Sequence, residues 1–136
     1  MITTDHTLYM IAAAKLLAQY VSAANRAGFD RNQVNAALAQ ICAQSVITEF
    51  WVSDENGEVE YSSADPQGFR FPLDPSAGTQ AAPFAALLTG KTTIVVQTPQ
   101  PRELDSRVFQ YVGVAGADKP RIVQVGVEIE YGKSSG

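Results

Sequence analysis

The side chains in this sequence best suited to chemistry are aromatics, amides and a few arginines, which bind small molecules rather than break bonds. Phe69-Arg70-Phe71 lies in a proline- and glycine-rich stretch, ADPQGFRFPLDPSAGTQ, over 64–80. In an extended segment Phe69 and Phe71 point one way and Arg70 the other. The two rings can cap a pocket or plug the core beneath the loop. Arg70 can clamp a carboxylate through paired N–H groups or lie solvated. Further along, period-2 alternation puts Arg107, Phe109, Tyr111 and Gly113 on one strand face. Tyr111 joins a ring for packing to a hydroxyl for hydrogen bonding, and Gly113 leaves room for a ligand or backbone to come close. Gln124 and Gly126 fall beside them on a neighbouring strand, while Trp51 adds stacking area and one N–H donor. Trp51, Tyr61, Phe69, Arg70, Phe71, Arg107, Tyr111 and Gln124 are the candidate ligand-binding residues, with core packing as the alternative role for the buried ones. Arg121, just after Pro120, reads as a strand-edge charge.

Other chemistries find little support. The 136 residues contain one histidine, His6, and one cysteine, Cys42, which falls in a helical pattern and reads as a small buried thiol. No histidine-paired nucleophile, histidine-rich metal site or internal disulfide is expected from them. Asp54 and Glu55 belong to a turn, and Asp65 and Asp74 each precede a proline, without the alternation of oxygen ligands that a calcium loop needs. No phosphate-cradling glycine motif is present, so neither a cofactor nor an enzymatic activity is expected. A net charge of −4 without a Lys/Arg cluster argues against nucleic acid as a partner. No run of 18 apolar residues offers a membrane segment.

The elements that must position these residues are legible in the pattern. Apolar residues at helical spacing over 8–27 put Tyr9, Ala13, Leu16, Leu17, Tyr20 and Ala24 on one face, and Gly28 suits the residue that closes a helix. Asp30 and Gln33 form a capping box for a second helix reaching about 45. Strands are expected at 47–53 and 58–62, joined by a type I′ turn at Asn56-Gly57. A long loop and a short helix at 83–90 follow, then strands at 92–98, 107–115 and 121–131. Helices first and strands last argue α+β with an antiparallel sheet. In the last strand Val123, Val125, Val127 and Ile129 face the helices, while Ile122, Gln124 and Gly126 face the segment 64–90.

GFDRNQVNAALAQI, SVITEFWVSDENGEVEYSS and FQYVGVAGADKPRIVQVGV together resemble a Cache sensor domain, a PAS-like module, over about 8–130. The resemblance implies a five-stranded antiparallel, PAS/Cache-like (profilin-like) sheet. Long N-terminal helices cover one face, and a loop with a short helix covers a small-molecule pocket on the other. One domain is expected, with its core at about 8–131 and a flexible tail at 132–136. Its function would be to recognise a small polar or anionic metabolite and pass occupancy to a signalling partner. The compartment would be cytoplasmic if the chain is complete and extracytoplasmic if it is an excised receptor domain. The alternative is a profilin- or roadblock-like protein that homodimerises through the N-terminal helix without a small-molecule ligand.

Overall fold

The computed structural model describes residues 6–65, 68–102 and 105–130. The expected tail at 132–136, the expected strand end at 131 and residues 1–5 lie outside that range. An uninterrupted run rich in alanine and leucine carries α1 (Thr7–Ala27) to Gly28, whose left-handed φ of 78° closes the helix. α2 (Arg31–Ala43) opens on the expected capping box. Asp30 Oδ1 accepts from Gln33 N at 2.8 Å, and Gln33 Oε1 accepts from Asp30 N at 2.9 Å. The buried face of α1 is turned by about one residue from the expected one. Met10, Ala14, Leu17, Val21 and Ala24 are buried, whereas Tyr9 and Leu16 stay exposed. Alanines and branched residues surround so much of this helix that spacing alone leaves its rotation open.

Six strands follow: β1 (Glu49–Ser53), β2 (Val59–Ser62), β3 (Ile94–Val96), β4 (Gln100–Pro101), β5 (Val108–Ala115) and β6 (Ile122–Glu128). The sheet is antiparallel in the order β2-β1-β6-β5-β3, with β4 also pairing to β5. Among the described residues the sheet therefore has six strands where five were expected. Gln100 and Pro101, read from sequence as connection, continue along the edge of β5, where a proline's missing N–H faces no partner strand. The turn between β1 and β2 differs too. Only Gly57 has positive φ, at 80°, and the Asp54 carboxylate organises the turn by accepting from Asn56 N and Glu58 N. An Asx-type turn thus replaces the expected type I′ turn.

α1 and α2 cover one face of the sheet. Met10, Leu17, Val21, Val34 and Leu38 pack there against Phe50, Val52, Val112, Val114, Val123, Val125 and Val127. Each such side chain, fully buried, is worth roughly 1.5–3 kcal/mol, so this is the main core. The segment between β2 and β3, with a 3-10 helix at Ala82–Leu87, crosses the opposite face and forms a smaller cluster of Phe71, Phe84, Leu87, Phe109, Tyr111 and Ile122.

Candidate functional site on the far face of the sheet

Strand register decides which side chains meet on this second face, because directly paired residues share a face. One row across the sheet runs Gln97, Tyr111, Gly126, Glu49: Gln97 N donates to the Tyr111 carbonyl at 3.0 Å, Tyr111 pairs with Gly126, and Gly126 pairs with Glu49. The next row runs Val95, Gly113, Gln124, Trp51. Gln124 lies in the middle of the face and is 4% exposed.

The two glycines in these rows seat aromatic rings. A Cβ on Gly126 would lie 2.7 Å from Tyr111 Cε1 and 3.0 Å from Glu49 Cγ. The bare backbone of β6 lets the Tyr111 ring lean across it, so that its hydroxyl donates to Glu49 Oε1 at 2.6 Å. A Cβ on Gly113 would lie 2.6 Å from Phe84 Cδ1. The close approach foreseen for Gly113 is therefore filled by the ring of the 3-10 helix. That end of the face is core.

Glu49 organises the other end. Its Oε1 also accepts from Trp51 Nε1 at 2.8 Å, and its Oε2 accepts from Arg102 at 3.0 Å. Arg102 uses its remaining edge on Asp105, at 2.8 and 2.7 Å, and lies 4.4 Å above the centre of the Phe109 ring. The turn that presents Asp105 holds Ser106 at a φ of 63°, and Arg102 N donates to the Arg107 carbonyl across it. The bonds from Arg102 hold the Asp105 carboxyl well below its usual range. Burial, then the nearby Glu49 charge, pushes the Tyr111 phenol well above its usual range, so it stays a donor.

Polar atoms under the crossing segment are incompletely paired. Gln97 is 9% exposed, and its Nε2 donates to the Gln80 carbonyl at 2.7 Å, which fixes the amide's orientation. Its Oε1 has no partner among the described residues, and neither has the buried Thr79 hydroxyl.

The residues named from sequence do not all meet. Trp51, Tyr111, Gln124 and Phe69 come together. Phe69 is 41% exposed and packs edge-to-face on Trp51, with ring centres 5.5 Å apart. Phe71 is fully buried and holds the loop down, as the core-plug reading expects, its ring 5.0 Å from that of Phe69. Arg70 points away, more than half exposed, 3.6 Å from Glu58. Arg107 lies at the sheet's end, paired with Glu128 at 2.9 Å and with Asp105. Tyr61 lies on the helix face, its hydroxyl donating to Asn25 Oδ1 at 3.3 Å. A register shift between Val52 and Ser53 inserts Glu60 as an extra residue, so Val59 and Tyr61 no longer share a face. Arg121 is not an edge charge: it is 1% exposed.

Sequence reasoning missed Glu49, Arg102 and Gln97. Glu49 had a usable signal, an acid two residues before Trp51 in an otherwise apolar strand, hence on the same face. Arg102 had only the short spacing to Asp105, and Gln97 none.

Elsewhere, an open groove of about 310 Å³ runs between α1 and the edge at β3, lined by Lys15, Ala18, Gln19, Ile94 and Val114. It lies on the helix side, away from the Glu49 network. Cys42 is half-buried, and burial raises its thiol pKa. Among the described residues, no group of three or more His, Cys, Asp or Glu could hold a metal ion, and no helix is long and apolar enough to cross a membrane. No protein-family model matches the chain, and no curated protein does.

Proposed function

We propose that this chain is a Cache-like recognition domain that binds a small polar metabolite on the far face of its sheet and passes occupancy to a signalling partner. The fold order supports the reading: helices cover one face, and the segment between the second and third strands covers the other, as the resemblance implies. The observation that carries it is the group of buried polar atoms in that second layer. A buried unpaired polar group costs roughly 1–3 kcal/mol, and native folds retain few of them. Gln97 Oε1 and the Thr79 hydroxyl lie on the same side of the sheet as Gln124 and a carboxylate already held by three donors. A ligand supplies the missing partners, with Trp51, Tyr111 and Phe69 as its apolar walls. The role is one of binding, with no chemical step.

A thermal-shift screen of organic acids, amino acids, amines and neutral polar compounds tests this. At a hundred times the dissociation constant a ligand adds roughly 2.7 kcal/mol, which for this chain length means a rise of about 10 °C. Trp51 is the only tryptophan, so its emission reports the same site. A panel that moves neither the melting point nor the emission refutes the reading.

One observation favours the second reading, a module that homodimerises through α1. Leu8, Leu16 and Tyr9 are 81%, 72% and 41% exposed on that helix. A dimer by light scattering, together with no response to any small molecule, would replace the sensor reading.

A further inference from the structure

We infer that Asn56 is a chemical modification site: it deamidates slowly, and its isoaspartyl product releases the 69–71 stretch from the β1–β2 hairpin. This holds whether or not the far face binds a ligand.

Asparagine is among the thermolabile residues. Its deamidation needs a free side-chain amide, a following N–H that can reach it, and no side chain in the way. Of the four asparagines, three lie in helices. Asn25 Nδ2 donates to the Val21 carbonyl at 2.9 Å, and Asn35 Oδ1 accepts from Ser62 N at 2.9 Å. Asn32 lies in the first turn of α2, where Gln33 N is held by Asp30 Oδ1. Helical backbone otherwise commits the following N–H to its own ladder. Asn56 differs. It is exposed, and the turn uses only its backbone: its N–H donates to Asp54 Oδ1 at 2.8 Å, and its carbonyl accepts from Arg70 at 3.3 Å. Its side-chain amide makes no hydrogen bond among the described residues. The fold requires glycine next, because φ there is 80° and a Cβ at Gly57 would lie 2.8 Å from the Phe71 carbonyl oxygen. Gly57 N donates to the Asp54 carbonyl at 3.2 Å. That contact is at the long end of the usual range, so it slows attack without preventing it.

The deprotonated Gly57 nitrogen attacks Asn56 Cγ. An N–C bond forms, the Cγ–NH2 bond breaks, and ammonia leaves. Water then opens the cyclic imide. Cleavage at Cγ gives aspartate. Cleavage at the α-carbonyl gives isoaspartate, whose main chain runs through the former side chain and is longer by one carbon. Water enters and ammonia departs, with no change of oxidation state. The fold makes the extra carbon matter. Phe71 N donates to the Gly57 carbonyl at 2.8 Å, Glu58 bridges to Arg70, and Arg70 reaches the Asn56 carbonyl. All of these contacts hang on the 56–58 backbone, which the insertion displaces. Phe69, packed on Trp51, belongs to the same stretch.

The test ages the protein at physiological temperature in mildly alkaline buffer and separates the more acidic product by ion exchange. Tandem mass spectrometry of its peptides reads conversion at each asparagine, and an isoaspartyl methyltransferase reads the isoaspartyl fraction. Conversion is expected at Asn56, faster at higher pH, with isoaspartate present and the helical asparagines intact. Asn56→Gln should abolish it, because the larger ring forms far more slowly. The isoaspartyl form should melt several degrees lower and shift Trp51 emission. Fresh Asn56→Asp, which carries the new charge without the extra carbon, should match the wild type in both. No conversion at Asn56, or equal conversion at a helical asparagine, overturns the inference. So does an isoaspartyl form that melts and emits as the fresh protein does, or a fresh Asn56→Asp that reproduces the whole change.

Discussion

Replacing Arg121 with methionine should lower the melting temperature by about 10 °C. In sequence Arg121 reads as a charge at a strand edge, and such substitutions stay within about 0.5 kcal/mol. In the structure its guanidinium is closed in. NH1 donates to the Ser53 carbonyl at 3.1 Å and to Glu60, while Nε and NH2 donate to Asp118 at 3.1 and 2.9 Å. It joins the β5–β6 turn to the irregularity in the β1–β2 ladder, where Ser53 Oγ also accepts from Ile122 N. Methionine keeps most of the stem's volume but leaves two carboxylates and a carbonyl without their donor. Breaking a buried ion pair costs about 3–5 kcal/mol. Asp118 and Glu60 retain 21% and 27% side-chain exposure and can regain water, so the low end, about 3 kcal/mol, applies. With an unfolding entropy of about 2.1 cal/mol/K per residue, the chain loses about 1 °C for every 0.29 kcal/mol. Circular dichroism melts of the wild type, Arg121→Met, and Arg121→Met combined with Asp118→Asn and Glu60→Gln make the assay. The triple variant should recover part of the loss, because no uncompensated charge remains. An Arg121→Met melt within 2 °C of wild type would refute the reasoning and return Arg121 to the surface.

Gly126→Val should lower stability by about 1–3 kcal/mol, the usual range for overpacking, because its Cβ would meet the Tyr111 ring at 2.7 Å. It should also change Trp51 emission by dislodging the Tyr111–Glu49 bond, and unchanged emission would mean that the ring does not depend on that seat. Stability should fall on acidification. Arg102 and Arg107 depress the carboxyls of Asp105 and Glu128 respectively, and for Asp118 the bonds from Arg121 outweigh the upward push of burial. Depressed carboxyls stabilise above their unfolded values of about 4 and lose that contribution as pH falls through the lower folded values. Urea midpoints should therefore drop steadily below about pH 4, and a midpoint that rises in that window contradicts the pairing.

What was legible in the sequence was whatever a local pattern dictates. Asp30 and Gln33 cap α2 because the bonds they make span three residues, and a span of three residues is visible in a string. The alternation of Val123, Val125 and Val127 with Gln124 and Gly126 identified the two faces of β6, because side-chain direction along a strand has period two. What depended on neighbours across space was hidden. Tyr61 changes face because one extra residue, Glu60, enters the ladder opposite β1, and a one-residue shift reverses every assignment beyond it. The rotation of α1 was ambiguous because Tyr9 and Met10 are both apolar, and only the sheet decides which is covered. Arg121 and Arg102 were unreadable for a similar reason. Each is buried by partners from other elements, Glu60 and Ser53 in one case and Glu49 in the other.

Gly113 and Gly126 divide the far face, and that division bears on how binding could be transmitted. Over Gly113 the ring of Phe84 closes the 3-10 helix onto the sheet, so that end belongs to the core. Over Gly126 the ring of Tyr111 reaches Glu49, so that end is a polar network with acceptors to spare. Gln124 pairs with Gly113 on one side and Trp51 on the other, and its own strand joins the two ends. Its sequence neighbours, Val123 and Val125, point through the sheet into the core that holds Leu17 and Val21 of α1. A compound bound against Gln124, as proposed, would therefore pull on a strand whose other face is packed against the long helix. Close-packed cores transmit small displacements rather than absorb them. A ligand changes the state of α1 only by as much as it prefers one position of β6 over another. If the proposed site binds a ligand, a substitution that loosens the back of that strand, such as Val125→Ala, should weaken the coupling between site and helix more than it weakens binding itself.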